Sequence, residues 1–452
     1  MANVVDAAVI GLGPGGEDLA GRLGDAGLDV LAVERQLVGG ECPYWGCIPS
    51  KAMVRSADVL AEARRVRDLA GSAQVEADWG PVAQRVRKLT ADWDDTVAVE
   101  RLEGRGCRVV HGVGSVTGPG RISVSGQVYE VRRAIVLNPG TSAFIPPVDG
   151  LMDTPYWTNR EAIEAREVPH SMIVLGGGAI GVELAQVYAR FGCTVTVIES
   201  GPCLLAMEEP EAGRLLAEVF EREGIHVSSN AKATAVSHDG TTFTVTLDGG
   251  DSLRADRLLV ATGRSARLGP LGLNSVGVDI SGRFLDVDDH LRLTDGIWAI
   301  GDVTGKGAFT HVAMYQAAIA ARDILGEDGP PADYRALPRV TFTDPEVGAV
   351  GKTEKQAWEA EVDVRTGITA LSTSSRGYIH AVGNEGFIKV VEDAARGVLV
   401  GATSAGPYGG EILGALAVAV RAEVPVATLR HSMWAYPTFH RAIETALADL
   451  DS

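Results

Sequence analysis

Gly11-Leu12-Gly13-Pro14-Gly15-Gly16 and Gly176-Gly177-Gly178-Ala179-Ile180-Gly181 are the two stretches on which the fold turns. Each follows a short apolar run, Val4–Ile10 and Ser171–Leu175, of the kind buried on both faces in a parallel sheet. Each opens a helix and is followed by an acid that closes the next strand, Glu34 and Glu199, 18 residues past the last glycine in both copies. The residue types have physical reasons. Gly11 and Gly176 permit a tight turn, Gly13 and Gly178 let backbone approach a pyrophosphate, and Gly16 and Gly181 let the helix pack close to its strand. The helix N-terminus offers unpaired N–H groups to phosphate, and the acid accepts hydrogen bonds from a ribose. One such motif is a weak signal, but two in strand–turn–helix context identify two dinucleotide-binding units. A carboxylate at Glu199 repels a 2′-phosphate, and Gly201-Pro202-Cys203-Leu204 supplies no arginine to welcome one, so NADH is favoured over NADPH.

Between the two copies, Ala52–Arg67 and Val82–Glu103 read as polar-faced helices, followed by short alternating runs at Arg108–Val116, Ile122–Val124 and Ala134–Leu137. Near residue 150 the pattern restarts, with a helix over Ile180–Phe191 and a strand over Thr194–Glu199. A third region follows Gly329-Pro330-Pro331. It mixes strands (Val340–Thr343, Phe387–Glu392, Val398–Ala402) with helices (Gly410–Arg421, His440–Leu450) without the Rossmann rhythm. The expected fold is α/β, two Rossmann-like domains plus a C-terminal α+β domain.

Composition narrows the function. Lys+Arg 41 against Asp+Glu 59 gives a net charge of −18, which disfavours nucleic acid and anionic membranes. The one dense basic stretch, Arg64, Arg65 and Arg67, reads as a solvated helix face. The apolar run Ile412–Val420 is far short of the roughly 18 residues that a membrane span needs, and the N-terminus carries no basic n-region, so a cytoplasmic protein is expected. Of five cysteines, only Cys42 and Cys47 lie close together; Cys107, Cys193 and Cys203 read as core residues, and no metal-ligand set stands out. In a regular helix, cysteines five apart have Cα atoms about 8–9 Å apart, beyond the roughly 7 Å a disulfide tolerates. The pair therefore calls for a distorted first helical turn, to which Pro43 and Gly46 are suited.

With Cys42-Pro43-Tyr44-Trp45-Gly46-Cys47-Ile48-Pro49-Ser50-Lys51 in view, the chain resembles the flavoprotein disulfide reductases, the family of dihydrolipoamide dehydrogenase, glutathione reductase and mercuric reductase. Gly176 to Glu183 resembles that family's NAD(P)H site, Val260-Ala261-Thr262-Gly263-Arg264 its linking segment, and Ile297-Trp298-Ala299-Ile300-Gly301-Asp302 its second FAD motif. Thr341-Phe342-Thr343-Asp344-Pro345-Glu346 resembles the start of its dimerisation domain. The resemblance implies an FAD-binding domain (1–149 and 269–336), an NAD(P)H-binding domain (150–268) and a dimerisation domain (337–452). It assigns FAD to the first fingerprint with Gly140, Gly301, Asp302 and Ala313, and the nicotinamide nucleotide to the second with Gly263. It implies hydride transfer from nicotinamide to flavin and on to the disulfide, with Cys47 the flavin-proximal sulfur, Cys42 the attacking thiolate, and Lys51 with Glu183 an ion pair beside the flavin. It also implies a homodimer in which the C-terminal segment of the other subunit completes the active site.

One departure bears on the acceptor. Family members carry His-Pro-Thr-x-x-Glu near the C-terminus, where this chain reads Tyr436-Pro437-Thr438-Phe439-His440-Arg441. A tyrosine with a pKa near 10, against about 6.5 for histidine, is a poor base. His440, with Glu444 one turn on, is the candidate replacement; otherwise the acceptor needs no such base. Mercuric reductases place a tyrosine there too, but deliver metal through a further cysteine pair, and this chain ends Ala448-Asp449-Leu450-Asp451-Ser452. Tyr44 and Trp45 read as packing beneath the flavin or as an aromatic acceptor site. Three functions compete: reduction of a small disulfide or thiol-reactive compound through the cysteine pair, direct reduction of a quinone-type acceptor by flavin, and a slow flavoprotein acting as a redox sensor or partner subunit.

Overall fold

The computed structural model describes residues 3–451. Two compact units are built from interleaved segments. One takes the residues up to Pro49, Arg85–Phe144 and Arg264–Asp333; the other takes Ser50–Gln84, Ile145–Gly263 and the chain from Tyr334 onward.

In the first unit, strand Asn3–Ile10 lies between Val30–Glu34 and Gln127–Leu137, parallel to both, with Cys107–His111 and Ile297–Ala299 extending the parallel set. The central stretches of these strands, Ala7–Ile10, Val30–Val33 and Ala134–Leu137, are apolar throughout because both faces are covered. Ala7, Val9, Val30, Ala32, Ala134 and Val136 enter one core, while Val5, Ala8, Ile10, Leu31, Ile135 and Leu137 enter the other. Each fully buried Val or Leu contributes about 1.5–3 kcal/mol relative to exposure. Helix Pro14–Asp25 packs against helix Thr310–Leu325, and Gly15 makes the approach possible: a Cβ there would sit 3.0 Å from that of Ala313.

In the second unit, Ser171–Leu175 and Thr194–Ile198 are central to a four-stranded parallel sheet with His226–Ser228 and Arg257–Val260. A five-stranded antiparallel sheet follows in the order Pro338–Thr341, Glu346–Gly351, Val398–Gly406, Phe387–Asp393, Val364–Ala370, and helices Gly409–Arg421 and Ala442–Asp449 share its core. The α/β class with a C-terminal α+β domain is thus the observed architecture.

Three expectations need correction. The single helix over Val82–Glu103 is three pieces, Gly80–Leu89, Ala91–Trp93 and Thr96–Glu103, because Ala91, Asp92 and Trp93 all adopt left-handed backbone. The run Arg108–Val116 is two strands, Cys107–His111 and Gly114–Gly118. The expected helix His440–Leu450 begins with a tight turn, Phe439–Arg441, before Ala442–Asp449.

Candidate active site

The two fingerprints repeat one construction in atomic detail. Gly11 and Gly176 adopt φ of +93° and +106°, where a side chain would collide with the backbone of Asn138 and Ala261 respectively. A Cβ on Gly16 would overlap the Gly11 carbonyl oxygen, and one on Gly181 that of Gly176. Glu34 accepts hydrogen bonds from the N–H groups of Leu12 and Gln36, both at 2.7 Å. Glu199 accepts from Gly177 at 2.7 Å and Gly201 at 2.6 Å. Both helices have a glycine N-cap, Gly13 and Gly178, with no side chain accepting from the first turn, and a Cβ at Gly178 would meet nothing within 4 Å. Uncapped N–H groups and a fixed acid fit a nucleotide pyrophosphate and its ribose at both places, with open space added at Gly178.

Around the first fingerprint, two polar side chains hold the turn that carries Asp302, and a third holds Gly11. Gln316, wholly buried, accepts from the Gly301 N–H at 2.6 Å and donates to Thr304 Oγ1 at 3.1 Å. Thr141 donates to Asp302 Oδ2 at 2.7 Å and accepts from Arg264 Nε at 2.8 Å. Asn138 donates to the Gly11 carbonyl at 3.2 Å. Gly140 is left-handed with open space about it, as is Gly263 in the second unit.

The cysteine segment is broken where the pair requires it. Glu41–Tyr44 forms one short helical turn, Trp45 leaves helical geometry at φ −136°, and Cys47 opens a new helix, Cys47–Leu69. Gly46 lies against the preceding turn: a Cβ there would stand 3.1 Å from the Glu41 carbonyl oxygen and 3.4 Å from Cys42 Cα. Both residues are thiols in this structure, Cys42 half-buried and Cys47 exposed. The neighbouring Cys47, followed by burial, pushes the Cys42 thiol well above the usual thiol range, and the Thr310 hydroxyl pulls it the other way. Thr310 Oγ1 lies 3.4 Å from Cys47 Sγ. Tyr44 and Trp45 are buried and pack on each other at 5.9 Å. Burial, then Asp95 and Glu17, raise the Tyr44 phenol.

Lys51, one turn beyond Cys47 on the same helix, belongs to the second unit. Its Nζ lies 2.7 Å from Glu183 Oε2 and 4.9 Å from the centre of the Phe342 ring. Glu183 is almost wholly buried, and its other oxygen accepts from the Phe342 N–H at 2.8 Å. One face of helix Ala179–Arg190 makes this anchor. Gln186 accepts from the Asp344 N–H at 2.8 Å, and Arg190 pairs with Asp58, Glu223 and Asp344 at 2.7–2.8 Å. Burial pushes the Asp58 carboxyl up to about 6 against the pull of Arg190. Arg65 joins the cluster through Asp344, and Arg64 donates to the Arg190 carbonyl. Of the basic stretch, then, Arg67 alone is the solvated residue expected.

At the C-terminus, Tyr436 is 65% exposed, with the Arg441 guanidinium 5.3 Å from its ring centre. Glu444 pairs with Arg441 at 3.1 Å. The carboxylate expected to orient His440 is therefore engaged elsewhere, because Arg441 competes for it from three residues away. Cys107 and Cys193 are buried and Cys203 is half-buried.

Two nucleotide-type turns and a dithiol on a broken helix define a dinucleotide-dependent redox protein. Comparison with known proteins makes this specific. Residues 5–317 match the pyridine nucleotide-disulphide oxidoreductase family, and residues 337–447 match that family's dimerisation domain. The chain belongs to this family of oxidoreductases, whose members are FAD-dependent and use NAD(P)H. It is 36% identical to a dihydrolipoyl dehydrogenase of Chlorobaculum tepidum, over 99% of this chain and 97% of that protein. It is 33% identical to a mercuric reductase of Shewanella putrefaciens, over 95% of this chain and 78% of that protein. Among solved structures, LpdA from Mycobacterium tuberculosis superposes with a TM-score of 0.87 at 28% identity, covering 98% of this chain and 99% of that one. The HOCl-induced flavoprotein disulfide reductase RclA from Escherichia coli gives 0.86 at 26%, with 98% and 99% covered. The dimerisation domain supports a homodimer, and among the described residues no helix is long and apolar enough to cross a membrane.

Proposed function

We propose that this chain is an NADH-dependent FAD oxidoreductase that passes two electrons through the Cys42–Cys47 pair to a small disulfide or a related thiol-reactive compound. The observation that carries the reading is the dithiol itself: the Cys42 and Cys47 thiols lie either side of a helix break at which Gly46 packs against the preceding turn. Bound FAD would supply the two-electron relay between nicotinamide and sulfur. The chain's own residues do the rest. Leu12 to Gly16, Glu34 and Asp302 hold FAD. Gly176 to Gly181 and Glu199 hold the nicotinamide nucleotide, with both Glu199 oxygens fixed as acceptors suited to ribose hydroxyls and opposed to a 2′-phosphate. Lys51, held by Glu183, is the cation that the family resemblance would assign to the reduced flavin. Cys42 attacks the acceptor, and Cys47 closes the disulfide behind it.

A second reading, direct reduction of a quinone-type acceptor, draws support from Tyr436, which is exposed and stands where relatives of this class carry the histidine base. Turnover separates the two. Cys42→Ser should abolish NADH-dependent reduction of disulfide acceptors. Disulfide turnover that survives the substitution would defeat the first reading, and quinone turnover that survives it would favour the second.

A further inference from the structure

Beyond Glu199, the segment 200–209 runs from the second fingerprint to the antiparallel sheet of the same compact unit. Its first half is fitted to the fingerprint turn. The Leu205 N–H donates to the Gly177 carbonyl at 2.9 Å. The buried Leu204 side chain occupies the space that a Cβ on Gly177 would need, 2.5 Å away. Leu205 itself takes left-handed backbone at φ +53°, a conformation that a leucine keeps only where its surroundings hold it. The second half is gripped from the sheet. Arg339 places a fork on Glu208, with Nε donating to Oε1 at 2.9 Å and Nη2 to Oε2 at 2.8 Å. Buried Lys389 donates to Glu209 at 2.9 Å, Glu354 at 2.7 Å and Glu211 at 3.2 Å. The other Glu209 oxygen accepts from the Glu354 N–H at 2.7 Å. A fork fixes direction as well as distance, and a buried cation and carboxylate hold each other because neither has water to turn to.

We propose that Arg339 and Lys389 are positioning residues for the nicotinamide nucleotide. Through Glu208 and Glu209 they keep the segment 200–209 seated on Gly177, and so keep Gly177 and Glu199 in the geometry that receives the adenosine half. The proposal rests on the reading of the second fingerprint as the nicotinamide-nucleotide site. Neither cation touches the nucleotide; each acts through a carboxylate and then through the segment. The left-handed Leu205 gives the segment a reason to leave once the grip is lost, because relaxing its backbone takes the Leu205 N–H off the Gly177 carbonyl. Apparent affinity for the nucleotide then falls with the fraction of molecules in which the segment is seated. A fingerprint turn and its acid meet the pyrophosphate and the adenosine ribose, the end of the molecule remote from the ring that gives up hydride. The effect therefore falls on binding and leaves the hydride step unchanged.

The test is anaerobic stopped-flow reduction of the flavin-loaded protein by NADH, which yields an apparent Kd and a limiting rate, with ADP-ribose as a competing probe that lacks the nicotinamide ring. Arg339→Gln should raise the apparent Kd for NADH and the inhibition constant of ADP-ribose by one common factor, about 5- to 10-fold, with the limiting rate within about twofold of the parent. Arg339→Lys, which keeps the charge and loses the fork, should fall between the two. Lys389→Met leaves Glu209 buried without its cation and should weaken NADH at least as much. If that variant does not fold, Arg339→Gln decides alone, since its pair with Glu208 is partly exposed. An Arg339→Gln apparent Kd within about twofold of the parent overturns the proposal, and so does a limiting rate that falls as far as the Kd rises. Failure of the reading beneath it looks different: Gly178→Val, which fills the open space at the second fingerprint, would then leave reduction by NADH unchanged.

Discussion

Gly46→Ala perturbs the cysteine pair without touching either sulfur. Gly46 is not in the left-handed region, so alanine can take its backbone conformation, and the effect is steric. The new methyl would lie 3.1 Å from the Glu41 carbonyl oxygen and 3.4 Å from Cys42 Cα. Favourable contacts begin near about 3.5 Å, so the Cys42 turn must move outward by a few tenths of an ångström. The dithiol tolerates this, because two thiols that share no covalent bond have no fixed separation to keep. The disulfide does not, since its Cβ atoms must come within about 3.8 Å of each other. Absorbing the mismatch in one or two bond angles distorted by ~7° costs about 1–2 kcal/mol in the oxidised form alone. At about 30 mV per 1.4 kcal/mol for a two-electron couple, the reduction potential of the pair should rise by roughly 20–45 mV. The assay is equilibration in glutathione buffers of graded ratio, with quenching and counting of free thiols by mass. A Gly46→Ala protein of normal flavin content whose potential lies within about 5 mV of the parent would refute the argument that this close approach governs the pair.

Other outcomes follow from the same geometry. Glu183→Gln and Lys51→Met, combined in a double-mutant cycle of thermal unfolding, should show a coupling of about 1–2 kcal/mol, below the 3–5 of a fully buried pair because Lys51 is a third exposed; additive effects would count against the pairing. Glu199→Gln removes the charge that opposes a 2′-phosphate and leaves the Gly177 and Gly201 N–H groups poorly matched. NADPH should gain on NADH in kcat/KM by about 10- to 100-fold, and an unchanged ratio would place cofactor discrimination elsewhere. Burial pushes the Cys107 thiol up to about 11 and the Cys193 thiol up to about 12. Since burial disfavours the thiolate, both should resist iodoacetamide in the folded protein at pH 8 and react only as the pH approaches those values; labelling at pH 8 in step with the redox pair contradicts their buried placement.

The parts of the site legible in the sequence are those where a backbone requirement selects the residue. Gly11, Gly16, Gly176 and Gly181 answer collisions that any side chain would make, and Gly46 marks the break that the Cys42–Cys47 spacing demands. Glu34 and Glu199 were readable because strand and helix lengths fix where an acid can meet the turn. What escaped was long-range. Thr310, Thr141 and Gln316 reach their partners across 263, 161 and 15 residues, and nothing in their local sequence distinguishes them from other polar residues. The break at Ala91–Trp93 was hidden because three non-glycine residues take left-handed backbone there, without the Gly or Pro that announces a turn. His440 lost its expected carboxylate to an immediate neighbour, since Glu444 is as accessible to Arg441 at i+3 as to His440 at i+4.

The central claim is that electrons pass through Cys42 and Cys47. An anaerobic titration of the purified protein with NADH, following the visible spectrum, tests it most directly. The account predicts a long-wavelength thiolate-to-flavin charge-transfer band after the first equivalent, with the flavin still oxidised. Bleaching of the flavin by that first equivalent, with no such band, would contradict it.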